Sequence, residues 1–324
     1  MTSVAIAVDL GGTKLETALV THEGAVLPGS RERRPTGPGI TPDGLRAALT
    51  DAIGGTLRAL PAGTHVRGVG VGSPGPFDGA AGTIRPVNMP GLHGLDLHRA
   101  VGEAVTGLHR AVGETVAGRG AAGAAPAVAV GHDAGCLALA ESWLGAARTA
   151  RASLSIVVST GIGGGYVVDG RLVEGASGNA GHIGQLRAGG MPPGEAHAAD
   201  PAPTLEEVAS GPASVAWARA QGWSGADGVA LGRAAAVGDA VARAAIERSA
   251  VAVGAALADA CVLLDVEVVA IGGGFSRVTP DYVDRVGASL RAHAALDFVR
   301  RVRVVPTALG DDGPLIGAGR LVAP

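Results

Sequence analysis

Short, nearly continuous apolar runs alternate along this chain with stretches of helical spacing. Residues 4–10 form the first run and read as a buried strand that stops at Gly11 and Gly12. Apolar residues resume over 16–20 before Glu23 and Gly24, so a strand, a glycine turn and a second strand are expected. Over 42–60 the apolar positions Leu45, Ala48, Leu49 and Ile53 predict a helix, and 66–72 is another buried-type strand that ends at Ser73, Pro74 and Gly75. The segment 97–107 (LHRAVGEAVTG) recurs as 108–118 (LHRAVGETVAG) with nine of eleven positions identical. Eleven residues is close to three helical turns, so the copy lengthens one amphipathic helix and makes no solenoid. A loop over 117–126 leads to a strand at 128–130, then His132 and Asp133 and a helix over 134–147. A second strand-turn-strand unit follows at 154–160 and 165–168 around Gly161, Gly163 and Gly164. Residues 187–203, rich in Gly and Pro, read as a loop; the longest helical pattern is 240–264, followed by strands at 266–271 and 302–305 and a terminal helix over 313–322. Alternating strands and helices predict an α/β fold.

Composition narrows the function more than the fold. Of 324 residues, 47% are hydrophobic and 17% charged, with 54 Gly and 19 Pro. So much Gly and Pro in a polar chain would imply disorder, but here they punctuate Val/Ile/Leu runs and read as tight turns between buried strands. A net charge of −3 without a long Lys/Arg run gives no basic stripe, so nucleic acid is not expected as a partner. Cys136 and Cys261 lie far apart in Ala/Leu-rich helical stretches and read as small core residues. An acid at position 9 and the lack of an 18-residue apolar run argue against a signal peptide or membrane span, and a cytoplasmic protein is expected.

The sequence Asp9, Leu10, Gly11, Gly12, Thr13, Lys14 has neither P-loop spacing nor the helix that a dinucleotide fingerprint needs after its glycines. A side-chain-free turn between strands lets backbone N–H groups and the Thr13 hydroxyl reach phosphate oxygens, while Asp9 can hold a hydrated magnesium ion. Alone, such a turn is more often a plain hairpin with a surface acid. Ser159, Thr160, Gly161, Ile162, Gly163, Gly164 and Gly165 repeat the device about 150 residues later, which points to two hairpins facing one polyphosphate.

Those two motifs, with Gly70-Val71-Gly72-Ser73-Pro74-Gly75-Pro76 and Asp78, Gly272 to Gly274 with Ser276, and Gly310-Asp311-Asp312 with Gly317, resemble in order the motifs of the ROK family of sugar kinases. The resemblance runs over nearly the whole length and implies a two-domain actin-like ATPase (ribonuclease H-like) fold with a central cleft. The smaller domain would be 1–131 plus 310–324 and the larger 132–309. It implies ATP and Mg2+, with Asp9, Gly11, Gly12, Thr13, Lys14, Thr160, Gly161, Gly163, Gly273 and Gly274 on the nucleotide and Asp9 holding magnesium through water. The catalytic base would be Asp133, which standing alone would read as a helix N-cap and beside the other motifs reads as the base. Ser73, Pro74, Gly75, Asn88, His132, Asn179, His182 and Glu206 would contact the sugar; Glu206 and Glu207 could instead be first-turn helix acids. A homodimer is also implied.

Three departures from the family pattern bear on function. The family's three zinc cysteines would fall on His197, Ala199 and Thr204, so no structural zinc is expected, and a mixed site of His182, His197 and Asp200 lacks thiolates and rigid spacing. The family's glutamate in A-G-E-x-G-H is Asn179, and the asparagine before the catalytic acid is His132. Two sugar contacts altered together point to an amino sugar or cyclitol rather than plain glucose, phosphorylated on its primary, 6-position hydroxyl. The competing readings are an ordinary glucokinase, polyphosphate in place of ATP as donor, and a non-catalytic sugar-binding or regulatory ROK protein. Only eight residues precede Asp9, too few for the helix-turn-helix of the family's repressors, and both Asp9 and Asp133 are retained.

Overall fold

The computed structural model describes residues 3–78, 81–112, 127–188 and 202–322, with 109–112 as backbone alone. Its contacts fall into two compact units, Met1–Leu144 with Leu172–Ala180 and Leu309–Pro324, and Gly145–Arg171 with Gly181–Ala308.

The first unit runs β1 (Ser3–Leu10), β2 (Lys14–Thr21), β3 (Glu32–Pro35), α1 (Pro42–Arg58), β4 (His65–Ser73), a small hairpin of β5 (Phe77–Asp78) and β6 (Thr83–Ile84), α2 (Leu97–Val112), β7 (Val128–His132) and α3 (Asp133–Trp143). Its sheet has the order β3-β2-β1-β4-β7, antiparallel from β3 to β1 and parallel from β1 through β4 to β7. Helix α1 begins where the pattern says it should: the Thr41 hydroxyl accepts from the Gly44 amide and Pro42 takes the first turn, where a missing N–H costs nothing. Its buried Leu45, Leu49 and Ile53 join Val101 and Val105 of α2 and Ile6 and Val8 of β1 in one core. A second core is built from smaller residues, Ala7, Ala18 and Val20 with Cys136, Leu315 and Ala318, so α3 and the C-terminal helix (Gly313–Arg320) come close to the strands.

That closeness depends on glycine. A Cβ on Gly70 would stand 1.7 Å from the Ala318 carbonyl oxygen, and one on Gly317 would stand 1.7 Å from that of Cys136. Helix α3 therefore belongs to the first unit with the C-terminal helix. The sequence reading put a boundary after 131; the contacts put it after Leu144 and add Leu172–Ala180. The 117–126 loop, most of the second copy of the 97–107 repeat and most of the 187–203 loop lie outside the described residues.

The second unit contains β8 (Ala152–Val158), β9 (Ile162–Val168), β10 (Arg171–Leu172), α4 (Leu205–Ala209), α5 (Gly211–Ala220), α6 (Gly228–Ala236), α7 (Ala240–Leu264), β11 (Val268–Gly272), α8 (Tyr282–His293), α9 (Asp297–Arg300) and β12 (Arg303–Pro306). The sheet order is β10-β9-β8-β11-β12, with β8 antiparallel to β9 and parallel to β11. Each unit thus opens on an antiparallel hairpin and continues in parallel strands. Helix α7 lies in the core, where Ser249 donates to the Ala209 carbonyl (2.7 Å) and meets the buried Tyr282 hydroxyl at 2.8 Å.

One strand differs from the sequence reading. Strand β9 begins at Ile162 rather than 165, so Gly163 and Gly164 pair with Val157 and Ile156 inside the ladder and the turn is only Ser159, Thr160 and Gly161. The chain at 181–184 lies against this strand: the Gly164 amide donates to the Gly181 carbonyl at 2.8 Å, and a Cβ on Gly181 would stand 2.1 Å from the Gly164 carbonyl oxygen.

Replacing Gly317 by Ala should destabilise the protein by about 1–3 kcal/mol, the usual cost of overpacking a close contact. Gly102→Ala, in α2 with nothing within 4 Å of its Cβ position, should instead stabilise by roughly 0.5–1 kcal/mol. Denaturant midpoints of the two variants measure the contrast.

Candidate functional site

In the first unit the chemistry gathers where the strands end. Cross-strand pairing sets Arg33 beside Glu16, Glu16 beside Asp9, and Asp9 beside Gly72. Lys14, two residues before Glu16 on the same face, forms an ion pair with it, and the Arg33 guanidinium reaches its other oxygen at 2.6 Å. Burial works against ionising Glu16, but Lys14 and Arg33 outweigh it and hold the carboxyl below its ordinary value. Asp9 has no such support. Burial first, then the charges of Asp133 and Glu16, push it up to about 7, and Lys14 only partly offsets them. Lys14 is accordingly engaged with Glu16 beside the turn.

The first hairpin tip is braced by Thr36, whose amide donates to the Thr13 carbonyl (3.0 Å) and whose hydroxyl donates to the Gly11 carbonyl (2.7 Å). Thr13 is exposed. A Cβ on Gly12 would stand 2.1 Å from Asn88 Nδ2, so the glycine makes room for the side chain that the sequence assigns to the sugar.

Asp133 is the first residue of α3, just past β7, and its Oδ1 accepts from the Ala134 amide at 2.6 Å. The N-cap position is His132 rather than Asp133, so the N-cap reading of Asp133 does not hold: one of its oxygens is engaged at the helix start, and the side chain keeps about a third of its surface (36%) exposed. His132 Nδ1 lies 3.4 Å from Asp133 Oδ1, and its ring meets the Phe77 ring edge-on, 6.4 Å between centroids. Ser73 pairs in register with His132 but is fully buried, so its hydroxyl is turned into the protein. Gly75 is buried and Pro74 half-buried. A small cavity of about 180 Å³ lies beside His132, lined also by Phe77, Leu172, Glu174 and Ala180.

Asn179 is placed differently from expectation. Its Oδ1 accepts from the Phe77 amide and its Nδ2 donates to the Phe77 carbonyl, both at 2.7 Å. Both ends of the amide are thus engaged with main chain. This pairing needs a donor and an acceptor on one side chain, which a glutamate at this position could not supply.

In the second unit the turn Ser159–Thr160–Gly161 stands at one end of a cavity of about 830 Å³. Gly211, Gly228, Gly274 and Phe275 line it together with Arg219, Arg233 and Arg277. The Gly211 amide donates to the Ser159 carbonyl at 2.9 Å, and Gly273, at φ +98°, brings the end of β11 within 2.5 Å of Val158 O at its Cβ position. Only glycine accepts both that backbone angle and that contact. Gly273 and Gly274 thus adjoin the turn, whereas Gly163 lies within β9 rather than in the turn. Gly211, Phe275 and the three arginines were missed by the sequence reading. Of these, the Ser210-Gly211-Pro212 helix start was the one visible signal, with Ser210 capping α5.

His182 precedes a short turn of helix at Ile183–Gln185 that packs on β9. Glu206 Oε2 accepts the Ile162 amide at 2.7 Å. Glu207, by contrast, is spent in a capping box with Thr204. His197, Ala199 and Asp200 lie outside the described residues. Among the described residues no group of three or more His, Cys, Asp or Glu could hold a metal ion. The pair Asp9 and Asp133 offers oxygen donors alone, which suits magnesium, an ion held by one or two carboxylates with water and phosphate.

A family model described as the ROK family matches residues 5–111 and 123–324. The chain belongs to the ROK family. The N-acetylmannosamine kinase of Citrobacter koseri is 33% identical over 319 residues, 98% of this chain and 97% of that protein. The N-acetylmannosamine kinase of Salmonella typhimurium is 33% identical over 301 residues, 91% of this chain and 92% of that one. Among solved structures, the ROK hexokinase from Thermus thermophilus is 31% identical with a TM-score of 0.78, covering 99% of this chain and 97% of that one. A ROK family glucokinase from Streptomyces griseus, solved with glucose and AMPPNP, is 28% identical with a TM-score of 0.76 and covers 98% of each chain. The fold is that of the actin-like ATPases, and the ROK chain is a sugar kinase, a phosphotransferase.

Two predictions follow from this ROK kinase's charges and clasp. With the folded pKa of Asp9 near 7 against an ordinary 3.8, the unfolded state loses that proton first as pH rises, so the penalty grows from about pH 4 to 7 and is full above. Asp9→Asn should therefore melt higher than wild type at pH 8, with the gap closing toward pH 4, in metal-free thermal scans. Asn179→Asp removes the donor to the Phe77 carbonyl and should cost about 1–3 kcal/mol in urea unfolding.

Proposed function

We propose that this enzyme transfers the γ-phosphoryl group of ATP to the primary, 6-position hydroxyl of an amino sugar or related hexose-like substrate, with Asp133 as general base. The observation that carries the reading is the pair of carboxylates at the ends of β1 and β7, Asp9 and Asp133: burial first, and then the charge of Asp133, favour the protonated form of Asp9. A non-catalytic sugar-binding protein has no use for such a pair, which raises the energy of the folded state and repays it only when positive charge arrives.

Phosphoryl transfer asks mainly for positioning and charge neutralisation, with one group to take the hydroxyl proton. Asp133 is suited to that task because Oδ1 is anchored at the helix start and Oδ2 is left to face a hydroxyl. Asp9 with its water shell would hold magnesium, which supplies charge neutralisation at the phosphates when bound. Thr13 and Thr160 present exposed hydroxyls at the two hairpin tips, and the cavity bounded by Gly211, Gly274 and Phe275 is large enough for a nucleoside. Asn88, His132, His182 and Glu206 are the proposed contacts to substrate hydroxyls, whereas Asn179 acts through Phe77.

The relatives named N-acetylmannosamine kinase favour an amino sugar, as does the change at His132. Glucose is the second reading, supported by the likeness to the Streptomyces griseus glucokinase.

Coupled ADP-release assays with N-acetylmannosamine, mannosamine, glucosamine, 3-amino-3-deoxyglucose, a valiolone-type cyclitol and glucose test both. An amino sugar is expected to lead in kcat/KM; glucose ahead by a large factor would overturn that choice. Asp133→Asn should lower kcat by about 10²–10⁴-fold with substrate affinity retained, and unchanged turnover would remove Asp133 as the base.

A further inference from the structure

We propose that Glu206 is a positioning residue for the phosphate-gripping turn Ser159–Thr160–Gly161, acting on it directly and independently of any sugar. The proposal rests on the reading above that this turn holds nucleotide phosphate, and it adds a function for Glu206 beyond a hydroxyl contact.

The turn closes between Val158 and Ile162, and within it the Ser159 amide donates to the Gly161 carbonyl at 2.9 Å. The Ile162 amide is satisfied from outside the ladder, by Glu206 Oε2 at 2.7 Å. A charged acceptor on a backbone N–H is about twice as strong as a neutral one, so this bond fixes the turn's exit strand firmly. The carboxylate can come so close because Gly161 has no side chain: a Cβ there would stand 2.6 Å from Oε2.

Glu206 is itself rigidly carried. Helix α4 is capped by Thr204 and Glu207, and the Leu205 amide donates to the Leu186 carbonyl at 2.7 Å. The chain holding His182 is bolted to the same strand, since a Cβ on Gly184 would stand 2.1 Å from the Ile162 carbonyl oxygen. The first unit repeats the arrangement with different atoms, Gly12 leaving room for Asn88 Nδ2. In both hairpins, then, the glycine's missing side chain is filled by a polar group from another segment. With Oε2 on the turn, Oε1 is the oxygen left to accept from a substrate hydroxyl, so one carboxylate serves both turn and substrate.

The glycine supplies an unusually clean probe. What a Gly161 methyl would meet is the far end of a flexible side chain, so Gly161→Ala should displace the carboxylate without disturbing the backbone. Binding of Mg-AMPPNP in the absence of any sugar, measured by calorimetry on the full chain, is the readout. Glu206→Ala is expected to weaken it about tenfold, Glu206→Gln, which keeps an acceptor, to stay within about threefold of wild type, and Gly161→Ala to match Glu206→Ala. The double variant should be no worse than either single one, because both remove the same contact.

Sugar-free AMPPNP affinity unchanged in Glu206→Ala, or a Gly161→Ala penalty that adds fully to it, would overturn the proposal while leaving the kinase reading intact. Should Glu206→Ala fail to fold, the Gln and Gly161→Ala variants decide by the same criteria. A wild-type chain that does not bind Mg-AMPPNP would overturn the proposal together with the reading beneath it.

Discussion

Main chain packed directly on main chain is the constraint from which the first unit's geometry follows. The carbonyls of Ala318 and Cys136 occupy the volume that side chains of Gly70 and Gly317 would need. This ties β4, α3 and the C-terminal helix into one stack at a separation no larger residue permits. Because α3 begins at Asp133 and β4 lies between β1 and β7, that stack also fixes the distance between Asp133 and Asp9. The glycine-rich composition is therefore a packing requirement as much as a set of turns. The second unit uses the same means where 181–184 lies against β9 and where Gly273 meets Val158.

Against this rigid background the charges are arranged at a cost to stability. Two cations near Asp9, Lys14 and Arg33, are committed to Glu16, the neighbouring acid, which they keep ionised. Asp9 is left with Asp133 and Glu16 as its main charged neighbours and is driven toward its neutral form. A protein selected for stability alone would have paired Asp9 as it paired Glu16. Leaving one acid unpaired in a polar recess, beside a second that is only partly tied down, makes sense when a cation arrives from solution with a substrate.

Strands β1, β4 and β8 and helix α7 could be read from their apolar patterns, and the two hairpins from their glycines, because local sequence decides those features. What could not be read was which partner a glycine or a polar side chain meets. Gly163 and Gly164 look like turn residues in sequence, yet they lie in β9, and the glycines that a close approach requires are Gly181 and Gly184 of the distant segment packed on that strand. Lys14 is read in sequence as part of the turn motif, and its ion pair with Glu16 on the same face of β2 is visible only in the structure. The cavity bounded by Gly211, Phe275 and three arginines is assembled from loops and helix ends far apart in the chain, and no local pattern marks it.

The two departures from the family pattern, at Asn179 and His132, meet on one residue, Phe77. Asn179 holds the main chain of Phe77 by both its amide N–H and its carbonyl, and the Phe77 ring in turn meets His132 edge-on. A glutamate at 179 would face the Phe77 carbonyl with a second acceptor and push that segment away, and an asparagine at 132 would leave the ring without its aromatic neighbour. Both contacts thus converge on Phe77, which lines the small cavity together with His132, the residue immediately before the proposed base.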